Sequence, residues 1–179
     1  MKRLWLLSHN HHRPQKGFTI VELLIVVVVI GILAAIVTVA YTGISSRAEN
    51  VKTIAGVNQA VKLLSLYKVE NGSYPSPGPT YVCIGSGYIG QVCSTTSNGV
   101  TPSASENSTF AAALQSIGSL PQLSNKQLTL SGGWVSAGAS FQSSNSMIRY
   151  VLDGAGASCE AGGTGYTYGS VTECRITLD

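Results

Sequence analysis

The feature that most constrains this chain is the run LLIVVVVIGILAAIVTVA at residues 23–40, which carries no charge. A run of this length suffices for a membrane-spanning helix. It exceeds the 7–15-residue apolar core of a secretory signal peptide. Lys2, Arg3, Arg13 and Lys16 precede it and no basic residue follows closely, which favours a cytoplasmic N-terminus. One acid, Glu22, stands at its entrance. A carboxylate deep in a membrane helix costs about 2.5–3.5 kcal/mol, and less near the interface, so such a residue needs a partner.

From about Ser45 the pattern changes. Val51, Ile54, Val57, Val61, Leu64 and Tyr67 recur at spacings of three and four, with Lys52, Asn58, Gln59, Lys62 and Ser65 between them. This is an amphipathic helix with one stripe to bury. Gly43 and Gly56 weaken it, but no proline interrupts residues 41–70. Asn71-Gly72 supplies a stop, and Pro75, Pro77 and Pro79 prevent resumption. The spacing therefore predicts one helix over about 18–70, on the order of 80 Å long. Its first half is apolar all round and its second half is one-sided.

Beyond it, Gly, Ser and Thr dominate. Candidate strands are Tyr81–Ile84, Ile89–Val92, Gln127–Leu130, Met147–Leu152 and Val171–Leu178, and Ser105–Ile117 reads as a short helix capped by Ser108. The expected class is α+β, a long helix with one face of a small antiparallel sheet packed on it. The organisation expected is a leader at 1–17, an apolar helix half at 18–44, an amphipathic half at 45–71 and a β-rich domain at 72–179.

The charge distribution argues against a nucleic-acid partner. The chain sums to +3, but residues 1–17 alone carry +4, and residues 80–179 sum to −2. A basic footprint for DNA is therefore missing from the sequence of the C-terminal region. Cys83, Cys93, Cys159 and Cys174 all follow the apolar run, an even count in a region expected to be exported. Of three connectivities, the local pairs Cys83–Cys93 and Cys159–Cys174 are favoured, each closing a short Gly-rich loop worth about 2–3 kcal/mol. A four-cysteine zinc site is disfavoured, because no two cysteines lie two to four residues apart. His9, His11 and His12 are confined to the leader, which removes the usual nucleophile–histidine pairing from the rest of the chain. No catalytic, metal or cofactor site is expected. Trp134, after Gly132-Gly133, reads as a packing aromatic rather than a ligand platform.

The junction Lys16-Gly17-Phe18-Thr19-Ile20-Val21-Glu22 and the apolar run after it resemble the N-terminal segment of type IV prepilins and pseudopilins, closely over residues 16–48. Tyr67-Lys68-Val69-Glu70-Asn71-Gly72-Ser73-Tyr74-Pro75 resembles the phrase that often ends the long helix in this family. The resemblance implies a pilin-like fold. It implies cleavage after Gly17 by a membrane-embedded prepilin peptidase, which also N-methylates the new amino terminus at Phe18. Glu22 would then pair with the amine of a neighbouring subunit during assembly. Its implied partners are copies of itself and related pilins, the membrane, and an assembly platform with a separate ATPase motor. The resemblance places the precursor in the cytoplasmic membrane and the processed subunit in an extracellular filament. One departure is Val39, where many bacterial pilins have proline; Gly31 and Gly43 remain as weaker breakers. Cys159–Cys174 resembles the disulfide-closed loop near the C-terminus of many true pilins. The functions implied are a pilus subunit for adhesion, motility or DNA uptake, a pseudopilin of a secretion or competence system, or a ligand-binding tip pilin.

Overall fold

The computed structural model describes residues 17–76, 78, 81–95, 102–160 and 162–179. The basic leader through Lys16, with its histidines, lies outside the described residues. In chain order the elements are α1 (Ile20–Asn71), β1 (Tyr81–Ile84), β2 (Val92–Thr95), β3 (Pro102–Ser105), α2 (Ser108–Gln115), β4 (Leu128–Thr129), β5 (Val135–Ser136), β6 (Ala139–Gln142), β7 (Met147–Asp153), β8 (Thr164–Tyr168) and β9 (Val171–Thr177). This is the α+β architecture expected from the sequence, a long N-terminal helix packed on a mixed, mostly antiparallel sheet.

Helix α1 ends where the sequence stops it. Gly72 adopts φ +77°, and its N–H donates to the Lys68 carbonyl at 2.8 Å. A residue in the left-handed region just past a helix is the usual glycine cap. The chain divides into two compact units between Tyr41 and Thr42. In the first unit every described side chain from Phe18 to Thr38 is exposed.

The second unit, Thr42–Asp179, holds the core. Val57, Ala60 and Leu64 of α1 are buried with Ile84, Phe141, Ile148, Tyr150 and Leu152 of the sheet. Fully burying one such side chain is worth about 1.5–3 kcal/mol. The buried line differs from the expected stripe at its start: Val51 is 66% exposed, and Thr53 is buried instead. Thr53, Val57, Ala60 and Leu64 lie four, three and four residues apart, so the line keeps the helical period with small residues in it. Gly56 belongs to this face for a packing reason. A Cβ there would stand 2.8 Å from Leu123 Cγ and 3.0 Å from the Gln122 carbonyl oxygen. Helix and chain approach too closely for a side chain.

The short helix is narrower than the sequence suggested. It spans Ser108–Gln115, and its cap is Asn107, not Ser108, because Asn107 Oδ1 accepts the Phe110 N–H at 2.9 Å. Phe110 and Leu114 are buried, and Phe110 stacks on Phe141 at 5.6 Å between centroids.

The sheet order is β4-β5-β2-β3-β1-β6-β7-β9-β8. It is not wholly antiparallel, because β1 and β3 pair in parallel. The expected strand at Ile89–Val92 begins only at Val92. Residues Ile89–Gln91 form a 3-10 turn in which Gly90 and Gln91 have positive φ, and that geometry breaks the extended chain. The sheet also curls. Leu130, just beyond β4, packs with Val151 of β7 and Val171 of β9, although five strands separate β4 from β7 in the sheet order.

Within this unit α1 is also clasped to the end of β7. Asn50 Nδ2 donates to the Asp153 carbonyl, and Asn50 Oδ1 accepts the Asp153 N–H, both at 2.8 Å. Ser46 Oγ donates to the Asp153 carboxylate at 2.6 Å, and Lys126 reaches the same oxygen at 2.8 Å.

Candidate functional site

Gly17, Phe18 and Thr19 run without regular structure into the first turn of α1. A Cβ on Gly17 would meet nothing within 4 Å, and Phe18 is 80% exposed. Both sides of the Gly17–Phe18 bond are therefore accessible in this structure. Helix α1 starts at once after them because Thr19 and Glu22 cap each other. Thr19 N–H and Thr19 Oγ1 donate to Glu22 Oε2 at 2.9 and 2.8 Å, and Glu22 N–H donates back to Thr19 Oγ1 at 3.1 Å. This reciprocal pattern satisfies helix N–H groups that have no intrahelical partner. It also sets the carboxylate against the positive end of the helix dipole.

Thr19 is the residue that the sequence reading missed. Its signal was present as Thr19-Ile20-Val21-Glu22, the T-x-x-E spacing of a capping box just before an apolar run. The consequence is chemical. One oxygen of Glu22 is held by Thr19, and among the described residues no hydrogen bond reaches Oε1. A carboxylate accepts through both oxygens. The arrangement thus holds the carboxylate in one orientation and leaves an acceptor for an external cation.

The surface behind this group is apolar without a break. Leu23, Leu24, Ile25, Val26, Ile30, Leu33 and Ile36 are each between 49% and 63% exposed. An apolar patch of this extent is not stable against water and needs lipid or other chains over it.

The four cysteines are far from this site in sequence and shape the second unit. Cys83 and Cys93 are joined and clasp β1 to β2, with a Cα–Cα distance of 5.6 Å. Cys159 and Cys174 are joined at a Cα–Cα distance of 5.7 Å, tying the chain after β7 to β9. Gly165 of β8 lies opposite Cys174, and a Cβ on it would stand 3.1 Å from Cys159 Sγ. The bridge crosses the strand where the side chain is missing. Among the described residues no group of three or more His, Cys, Asp or Glu is placed to hold a metal ion.

Residues 12–38 match the family described as the prokaryotic N-terminal methylation motif. The N-terminal segment of the chain thus carries that motif, over a small part of its 179 residues. It is 38% identical over 73 residues to the type IV wide pilus major component PilA4 of Thermus thermophilus, a match covering 41% of this chain and 56% of that protein. It is 34% identical over 62 residues to the type II secretion system core protein G of Pectobacterium carotovorum, covering 35% of this chain and 40% of that protein. The core protein G of Vibrio cholerae is 36% identical over 64 residues, covering 36% of this chain and 44% of that protein. The chain thus matches about half or less of the length of these relatives. No solved structure matches it. These relatives divide between a type IV pilus component and core proteins of type II secretion systems.

Proposed function

We propose that this chain is the precursor of a type IV pilus subunit. Cleavage between Gly17 and Phe18 removes the basic leader, and methylation of Phe18 by the same prepilin peptidase follows. The apolar half of α1 anchors the precursor in the cytoplasmic membrane, with the C-terminal domain outside. It then becomes the buried centre of a surface filament. During assembly the Oε1 side of Glu22 receives the Phe18 amine of a neighbouring subunit, because a buried carboxylate is costly alone and far less so when paired. Other copies and related pilins are the partners in the filament. An assembly platform and a separate ATPase supply the energy.

The observation that carries this reading is the methylation motif set directly on an apolar helix segment with every described side chain uncovered. The test is the intact mass and N-terminal sequence of protein sheared from the surface of its native cells. A chain beginning at methylated Phe18 in the sheared fraction is the expected result. A full leader still attached, with all protein retained in the membrane, refutes the reading.

A second reading, a pseudopilin of a type II secretion or competence system, is favoured by the relatives named core protein G. It shares the cleavage and docking chemistry but ends in a short filament within the envelope. The same shearing separates the two: processed chain that never reaches the sheared fraction indicates the pseudopilin.

A further inference from the structure

The sheet face turned away from α1 carries a cleft lined wholly by residues of the second unit. Its volume is about 240 Å³, below the ~300–1,000 Å³ of pockets for drug-sized ligands and suited to a single ring. The curl described above builds it. The β4–β5 hairpin forms one wall, and β2, β6, β7, β8 and β9 contribute the rest, so Trp134 and Tyr168 line the same cavity as Arg149, Glu173 and Arg175.

The floor is a three-residue ion cluster. Glu173 is buried, with 4% of its side chain exposed. Arg149 donates to both of its oxygens through Nε and Nη2, at 3.1 and 2.9 Å, and Arg175 donates through Nε. Each guanidinium is also seated on a ring, Arg149 over Tyr81 at 5.0 Å and Arg175 over Tyr166 at 4.5 Å. One carboxylate thus orients two guanidiniums, and one positive charge is left over. Among the described hydrogen bonds Arg175 uses only Nε, which leaves the terminal N–H groups of its fork for a ligand.

The wall is aromatic, and packing does not account for all of it. The hairpin is anchored by Leu130, 8% exposed in its cluster with Val151 and Val171. Trp134 does not belong to that cluster and remains 37% exposed. A turn through Gly132 and Gly133, at φ +86° and +79°, sets it there, closed by the Leu130 N–H donating to the Trp134 carbonyl at 2.7 Å. The hydroxyls of Ser94, Ser136 and Ser140 complete the lining.

A half-exposed indole, a guanidinium with open donors, a surplus positive charge and several hydroxyls share one complement. It is a hydroxylated ring with an apolar face and a carboxylate. We propose that this cleft binds one acidic sugar residue, a uronic or sialic acid, with its ring against Trp134 and its carboxylate on Arg175. Planar guanidinium and carboxylate match in a two-point contact.

The test uses the full chain in detergent micelles with Trp5→Phe, which leaves Trp134 as its one tryptophan, and titrates the fluorescence with sodium glucuronate, N-acetylneuraminate, a glucuronate-containing trisaccharide and glucose. Saturable change with an acidic sugar, weakened at least about tenfold for glucose, is expected. Arg175→Gln should weaken acidic-sugar binding by about tenfold while the Arg149–Glu173 pair keeps the fold. Trp134→Phe should give a smaller loss, read by calorimetry. Binding of the trisaccharide alone still supports the site and marks a polysaccharide as the source. No saturable response to any acidic sugar overturns the proposal, as does equal response to glucose or a response unchanged by Arg175→Gln. Burial of the cleft by a neighbouring copy in native filaments, read as loss of Trp134 quenching by acrylamide on assembly, also overturns it.

Discussion

The apolar half of α1 and the half that crosses the C-terminal domain belong to one helix, yet they are specified in opposite ways. In the first, composition is nearly everything. Any of Leu23, Leu24, Ile25 or Val26 presents a similar surface outward, and among the described residues none of them is buried. In the second, position is nearly everything. Leu64 is fully buried, Gly56 has no room for a Cβ, and Asn50 is matched atom for atom to the Asp153 backbone. A generic surface tolerates exchange among apolar residues because lipid or sister helices adapt to it. A packed one does not, because its neighbours are fixed.

The largest effect should come from applying one substitution to both halves. Leu64→Ala should destabilise the C-terminal domain by about 2–5 kcal/mol, the cost of a buried cavity. Leu24→Ala should leave the same domain unchanged, within about 0.5 kcal/mol. Denaturant unfolding monitored in the domain measures both. An equal loss for the two would break the comparison. Next, replacing Cys159 and Cys174 together by Ser should lower domain stability by about 3 kcal/mol in the same assay. The helicity of the apolar half in micelles should not respond to that change.

The smallest effect is a pH dependence confined to the domain. Burial acts to raise the Glu173 carboxyl, but hydrogen bonds and charge from Arg149 and Arg175 outweigh it and hold the group below its ordinary value of 4.5. A lowered carboxyl contributes stability that is fully present above that value and is lost as pH falls through the folded-state value. Glu173→Gln should therefore flatten the acid limb of the stability curve below pH 4.5. An acid limb as steep as in the parent chain would remove Glu173 from the account.

The same contrast explains what was legible. The helix and its end at Asn71-Gly72 were readable because apolar periodicity and a glycine stop are local signals. β1, β7 and β9 were readable because Tyr81–Ile84, Met147–Asp153 and Val171–Thr177 are rich in β-branched and apolar residues. Pro102–Ser105, Ala139–Gln142 and Thr164–Tyr168 were not. They are composed largely of Ser, Gly, Ala and Thr, and only pairing with neighbours makes them strands. The parallel β1–β3 pair and the curl that brings Leu130 to Val171 are products of such pairing and leave no trace in a local window. At the N-terminal site, Glu22 stood out as an acid in an apolar run, and Gly17 and Phe18 only through the resemblance of the junction to prepilins. Thr19 was passed over because a threonine before a helix is common, and its role shows only in the two-way bonding with Glu22.

The clasp at Asn50 has a mechanical consequence. Tension entering this domain along α1 meets Ser46 and Asn50 first, and both are bonded to Asp153 at the end of β7. The buried line from Thr53 to Leu64 lies directly behind them. A pull on the helix is shared between these bonds and the packed side chains behind them. The domain therefore hangs from its helix as from a splice, gripped along a length and not from a single knot.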